Sequence, residues 1–216
     1  MVRFALLVNV LLVAFVPMIS ARAAEPVRIV AFGDSLSAGY GLPADKAFPV
    51  RLERLLRAKG HIVTVANAGV SGDTTAGGRE RIDWAVPPGT DAVILELGAN
   101  DALRRLPTDR ARANLDAIIA NLKGRGVEIL IAGMRAPRNL GAEYANEFDR
   151  IFPELAEKHG VALYPFFLTG IALEPKFNLA DGLHPNAAGV DVIAERILPK
   201  VEELITRVQA KRPRTK

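Results

Sequence analysis

The chain has 216 residues, half of them hydrophobic and 24% charged, with a formal net charge of +4. This composition excludes a wholly disordered chain and suffices for one domain with a full core. Cysteine is absent and only three histidines occur, which excludes a disulfide framework, a thiolate metal site and a cysteine nucleophile, and leaves little room for a histidine-built metal centre.

Arg3 precedes an apolar run over residues 4–19, broken by Asn9 and Pro17, and Ala21-Arg22-Ala23 follows with the small-x-small form of a cleavage site. Residues 1–23 read as a secretory signal cleaved after Ala23, which predicts a periplasmic or secreted protein. The apolar run is short for a membrane span. Removing Arg3 and Arg22 lowers the formal charge from +4 to +2, and Lys211, Arg212, Arg214 and Lys216 supply four of the positive charges that remain. The basic excess therefore sits at the ends and does not mark a nucleic-acid-binding face. The expected organisation is one domain over 24–210 and a disordered basic tail over 211–216, able at most to touch a membrane surface transiently.

Within the domain, β-branched or apolar runs at 27–32, 61–66, 92–97, 127–132 and 161–164 predict strands. Between them, helical spacing of apolar residues predicts helices over 48–59, 75–85, 110–123 and 144–159, with a last helix over 187–208 bent at Pro199. Gly60, Gly124 and Gly160 sit where helices should stop. Strands alternating with helices imply βαβ units. The predicted fold is a three-layer α/β/α sandwich on a five-stranded, mainly parallel sheet. No heptad pattern stands out, so a monomer is expected.

Ligands in such sheets gather beyond the carboxyl ends of the strands. The segments there are Gly33-Asp34-Ser35-Leu36-Ser37, Val70-Ser71-Gly72-Asp73 and Gly98-Ala99-Asn100-Asp101. Beyond the signal the chain has only three serines, Ser35, Ser37 and Ser71. Ser35, just past a strand end, is the candidate nucleophile. His61 and His159 fall at the opposite ends of strands. His184, in Asp181-Gly182-Leu183-His184-Pro185-Asn186, stands three residues after a carboxylate that can fix its tautomer and leave the other ring nitrogen to take a serine proton. Asn186 can cap the last helix beside it. The backbone N–H groups of Ser35 and Gly72 and the side-chain amide of Asn100 are candidate oxyanion donors. Asp34 is expected to order the loops behind Ser35.

These four segments, in this order, resemble the SGNH, or GDSL, hydrolase family, although Ala99 stands where glycine or threonine is more usual. Residues 33–41 and 134–141 are most similar to small exported bacterial acyl-CoA thioesterase, lysophospholipase and arylesterase enzymes. The resemblance implies a flavodoxin-like fold, a triad of Ser35, Asp181 and His184, an oxyanion hole of Ser35, Gly72 and Asn100, and hydrolysis of a small acyl ester or lysolipid with no metal or organic cofactor. Met134, Leu140, Tyr144 and Ile171, with Phe166, Phe167, Leu168 and Leu173, are expected to line an acyl pocket. Three rivals are a carbohydrate deacetylase using the same triad, a non-catalytic binding module, and a metallohydrolase built on Asp34, Asp101, Asp181 and His184.

Overall fold

The structure, a computed structural model, describes residues 25–212; the expected signal segment and the last four residues of the basic tail lie outside the described residues. The strands are β1 (Val27–Gly33), β2 (Val63–Gly69), β3 (Ala92–Glu96), β4 (Glu128–Ala132) and β5 (Ala162–Tyr164). They form one parallel sheet in the order β2-β1-β3-β4-β5. This is the doubly wound arrangement, in which the strand order reverses between β1 and β3 and opens a crevice there.

The helices are α1 (Ser35–Ala38), α2 (Phe48–Ala58), α3 (Thr75–Ala85), α4 (Ala99–Leu103), α5 (Thr108–Gly124), α6 (Ala142–His159) and α7 (Ala187–Lys211). The α2–α7 pair forms one outer layer, and α3, α5 and α6 pack in sequence as the other. The sheet between them is apolar: every residue of β3 is buried, as expected of a strand covered on both faces. Val190, Ile193, Ala194, Ile197, Val201, Leu204 and Ile205 give α7 a buried stripe at helical spacing.

The three-layer expectation holds, and the edges of its elements shift for identifiable reasons. The second strand starts at Val63, not at His61, and runs on to Gly69. Ile62 is 56% exposed, and the ladder pairs Val27 with Val63 through Gly33 with Gly69. Gly124 is helical, and Gly126, at φ +76°, makes the left-handed turn expected of it. The helix at 187–208 passes through Pro199 and ends at Lys211. Two residues assigned to a disordered tail are thus ordered. Lys211 pairs with Glu128, while Arg212 donates to the carbonyls of Glu25 and Pro26 and to Asp91. Among the described residues no helix is long and apolar enough to cross a membrane.

Candidate active site

β1 ends at Gly33 and the chain turns at once into α1, a single helical turn. Asp34 caps it, its Oδ1 accepting from the Leu36 N–H at 3.0 Å. This lifts Ser35 to the carboxyl edge of the sheet beside the crevice. The loop before α7 reaches the same edge from the other end of the chain. Leu179 N donates to His184 O at 2.7 Å, and Asn178 pairs with Pro185 in an isolated antiparallel bridge.

There Asp181 gathers three donors. Its Oδ1 accepts from the N–H groups of Leu183 and His184 at 2.9 and 3.0 Å, and its Oδ2 accepts from His184 Nδ1 at 2.7 Å. These bonds hold its carboxyl down at about 2, the backbone bond from His184 being the largest cause. With Nδ1–H committed to a carboxylate, Nε2 is an acceptor, and Ser35 Oγ donates to it at 3.0 Å. Tyr40 covers the imidazole, with ring centroids 4.4 Å apart and planes tilted by 35°.

Gly72 follows β2 and Asn100 follows β3 at the same carboxyl edge of the sheet. Gly72 has φ +81°, a left-handed backbone that suits glycine. Arg104 Nη2 donates to its carbonyl at 2.7 Å. Asn100, at the start of α4, donates through Nδ2 to Asp34 Oδ2 at 3.1 Å and to Asp73 O at 2.9 Å. Asp34 is buried, and burial pushes its carboxyl up to about 6 against those bonds. The expectation that Asp34 orders these loops matches its contacts. Hydrogen bonds thus join Ser35, His184 and Asp181, and Asn100 is tied to Asp34, the residue before Ser35.

Two buried polar residues that the sequence reading did not single out support them. Arg81 of α3 donates to Asp73 Oδ2 at 2.7 Å and to the carbonyls of Ala68 and Gly33, each at 2.8 Å. It clamps the ends of β1 and β2 to the Gly72 loop while its guanidinium lies 4.0 Å from the centre of the Phe32 ring. Glu96, at the end of β3, accepts from Ser37 Oγ at 2.7 Å and from Asp34 N at 3.2 Å. Asp101 accepts from Thr75 N and Oγ1 at 2.8 and 2.6 Å, which ties α4 to α3. No local pattern marks Glu96, whose partners lie about sixty residues away, and Arg81 has only Asp73, eight residues before it, as a side-chain partner, the others being backbone carbonyls.

The residues expected to line an acyl pocket lie in different surroundings. Met134 and Ile171 are buried core residues, as is Phe167, which packs edge-on against Phe48. Leu173 is 91% exposed. An apolar residue beyond a strand end can turn inward to the core as readily as toward the cleft, and spacing does not distinguish the two. Leu140 is half-buried on a short turn. Tyr144 borders a groove of about 1120 Å³ between α5 and α6, together with Arg105, Leu106 and Glu147. Its hydroxyl donates to Leu106 O at 2.9 Å. Ser35, Gly72, Asn100 and His184 do not line that groove. No group of three or more histidine or acidic side chains among the described residues could hold a metal ion: Asp34, Asp101 and Asp181 each face different partners.

Comparison with known proteins gives the family. Residues 31–192 match the GDSL-like lipase/acylhydrolase family. The chain is 39% identical over 178 residues to an arylesterase of Vibrio mimicus, covering 82% of this chain and 89% of that protein. It is 33% identical over 192 residues to thioesterase 1/protease 1/lysophospholipase L1 of Escherichia coli K12, covering 88% of this chain and 91% of that protein. Among solved structures, AlinE4, an SGNH-hydrolase family esterase, aligns with a TM-score of 0.72 and 45% identity over 84% of this chain and 98% of its own. The chain belongs to the GDSL-like lipase/acylhydrolase family and is an ester hydrolase.

Proposed function

We propose that this protein hydrolyses acyl esters and thioesters, aryl esters and lysophospholipids among them, in two steps through an acyl-enzyme on Ser35. The observation that carries the reading is the unbroken hydrogen-bonded chain from Ser35 Oγ through His184 to Asp181, at 3.0 and 2.7 Å. His184 Nε2 takes the hydroxyl proton as Ser35 Oγ attacks the substrate carbonyl. Asp181 keeps Nδ1 protonated and stabilises the imidazolium. The N–H groups of Ser35 and Gly72 and the Asn100 amide receive the oxyanion. Both bonds that Asn100 now makes, to Asp34 and Asp73, hold the amide in place, and the oxyanion shares one of its hydrogens. His184 then protonates the leaving alcohol or thiol, and water repeats the sequence on the acyl-enzyme.

Residues 1–23 are proposed to export the enzyme, so that substrate is met outside the cytoplasm. The sequencing of the exported protein's N-terminus tests this, with a start at residue 24 expected. The enzymatic reading is tested with p-nitrophenyl esters from acetate to palmitate. Activity in the wild type that Ser35→Ala loses is expected, and activity equal in both would overturn it. The chain-length profile separates a lipid-type enzyme from a carbohydrate deacetylase, which would act on acetate alone.

A further inference from the structure

Glu96 ends β3 and stands in register opposite Gly33 at the end of β1. Its carboxyl is fully buried, and acyl transfer as described does not use it. Oε2 accepts from Ser37 Oγ at 2.7 Å and from Asp34 N at 3.2 Å, while Oε1 has no hydrogen-bond partner among the described residues. The space is made by Gly33: a Cβ there would lie 2.3 Å from Glu96 Oε2 and 2.4 Å from Ser37 Oγ. A carboxyl with one unmet oxygen in an apolar strand is costly, and its two accepted hydrogen bonds set against that cost are both to the turn that carries Ser35.

The two donors point to its use. Asp34 immediately precedes the nucleophile and Ser37 follows it by two. α1 is one turn long, too short to hold its own shape. We propose that Glu96 is a positioning residue for Ser35: one carboxyl oxygen closes the turn from Asp34 to Ser37 and so fixes the directions of Ser35 Oγ and Ser35 N–H. Burial, with Asp34 beside it, holds the Glu96 carboxyl well above the usual carboxylate range. Glutamine has the same reach and keeps one acceptor oxygen for Ser37 Oγ and Asp34 N–H, so it can reproduce that function.

The inference rests on the serine-hydrolase reading above, and the experiment separates the two. Steady-state kinetics on p-nitrophenyl butyrate, the rate of Ser35 modification by an organophosphonate and thermal unfolding are measured for wild type, Glu96→Leu, Glu96→Gln and Ser37→Ala. Glu96→Leu and Ser37→Ala should lower kcat about tenfold to a hundredfold, the scale of a small misplacement of a reacting group. KM should stay unchanged, phosphonylation should slow in parallel, and the loss should persist far below the unfolding temperature. Glu96→Gln should recover most of the lost kcat. Full kcat in both Ser37→Ala and Glu96→Leu would overturn the proposal, as would a Glu96→Gln variant as slow as Glu96→Leu. If Glu96→Leu does not fold, Ser37→Ala decides alone. A wild type inactive on every ester would instead end the hydrolase reading itself.

Discussion

Asp181 and Asp34 approach Ser35 from opposite sides, one through His184 and the other through the turn that carries the serine. Each accepts a backbone N–H two residues ahead of it and a side-chain N–H. Their acidities nevertheless diverge, with Asp181 near 2 and Asp34 near 6. Water accounts for the difference. Asp181 stands nearer the surface, where hydrogen bonds to the charged form outweigh the loss of hydration and lower its pKa. Asp34 is sealed under the crevice, where loss of hydration outweighs its bonds. The site thus joins an exposed, self-contained loop, proposed to relay the proton, to a buried scaffold, proposed to present nucleophile and oxyanion donors.

If the two sides differ in this way, substitutions on them should fail differently. The largest effect is expected at Asp181. Asp181→Asn leaves the loop on the surface but no longer enforces protonation of His184 Nδ1. The measured kcat should fall about 10³- to 10⁴-fold, with a far smaller loss of unfolding free energy, that of the hydrogen bonds Asp181 makes to the folded loop. A loss of stability matching the loss of rate would erase the distinction drawn here.

On the buried side the expected failure is structural. Arg81 is paired with Asp73 at side-chain exposures of 7% and 10%. Arg81→Met would strip Asp73 Oδ2 of its buried cationic partner and take one donor each from the carbonyls of Ala68 and Gly33. Breaking a buried pair from one side typically costs about 3–5 kcal/mol. Denaturant unfolding should show a loss of that size, with ester hydrolysis impaired even in the fraction that remains folded. Unfolding midpoints near the wild-type value would mean that the clamp is incidental.

The same division explains what could be read from the sequence. Asp181, Leu183 and His184 bond within three residues of one another, and serines and histidines are rare in the chain, so the relay was legible from a short segment. Ser35, Gly72 and Asn100 were legible because each follows a recognisable strand. Glu96 hides inside an apolar run that reads as an ordinary buried strand, and its partners Asp34 and Ser37 lie 62 and 59 residues away. Arg81 sits in a polar helical stretch where an arginine is unremarkable until the carbonyls of Gly33 and Ala68 converge on it. The burial of Met134 and Ile171 was not legible for the same reason: which face a loop side chain takes is decided by packing against distant elements. The short helices α1 and α4 carry too little periodicity to be seen at all.

The smallest effect, and the sharpest comparison, is expected from Asp34→Asn. Asparagine keeps one acceptor oxygen, so either the cap on Leu36 or the tether on Asn100 is lost. One such bond is worth roughly 1 kcal/mol, and kcat should fall by about tenfold or less. The pH dependence of stability is more telling. A carboxyl raised from its ordinary range to about 6 in the folded state contributes stability while protonated. That contribution is lost as pH climbs from about 4 to 6, because the unfolded chain releases the proton first. Asp181 works in the opposite sense: its contribution is present above the ordinary carboxylate range and is lost as pH falls toward 2. Unfolding free energies measured from pH 3 to 8 should therefore show wild type losing more stability between pH 4 and 6 than Asp34→Asn does. Parallel curves for the two proteins would mean that Asp34 ionises as a surface aspartate does, and the contrast with Asp181 would then lie in their partners and not in their exposure to water.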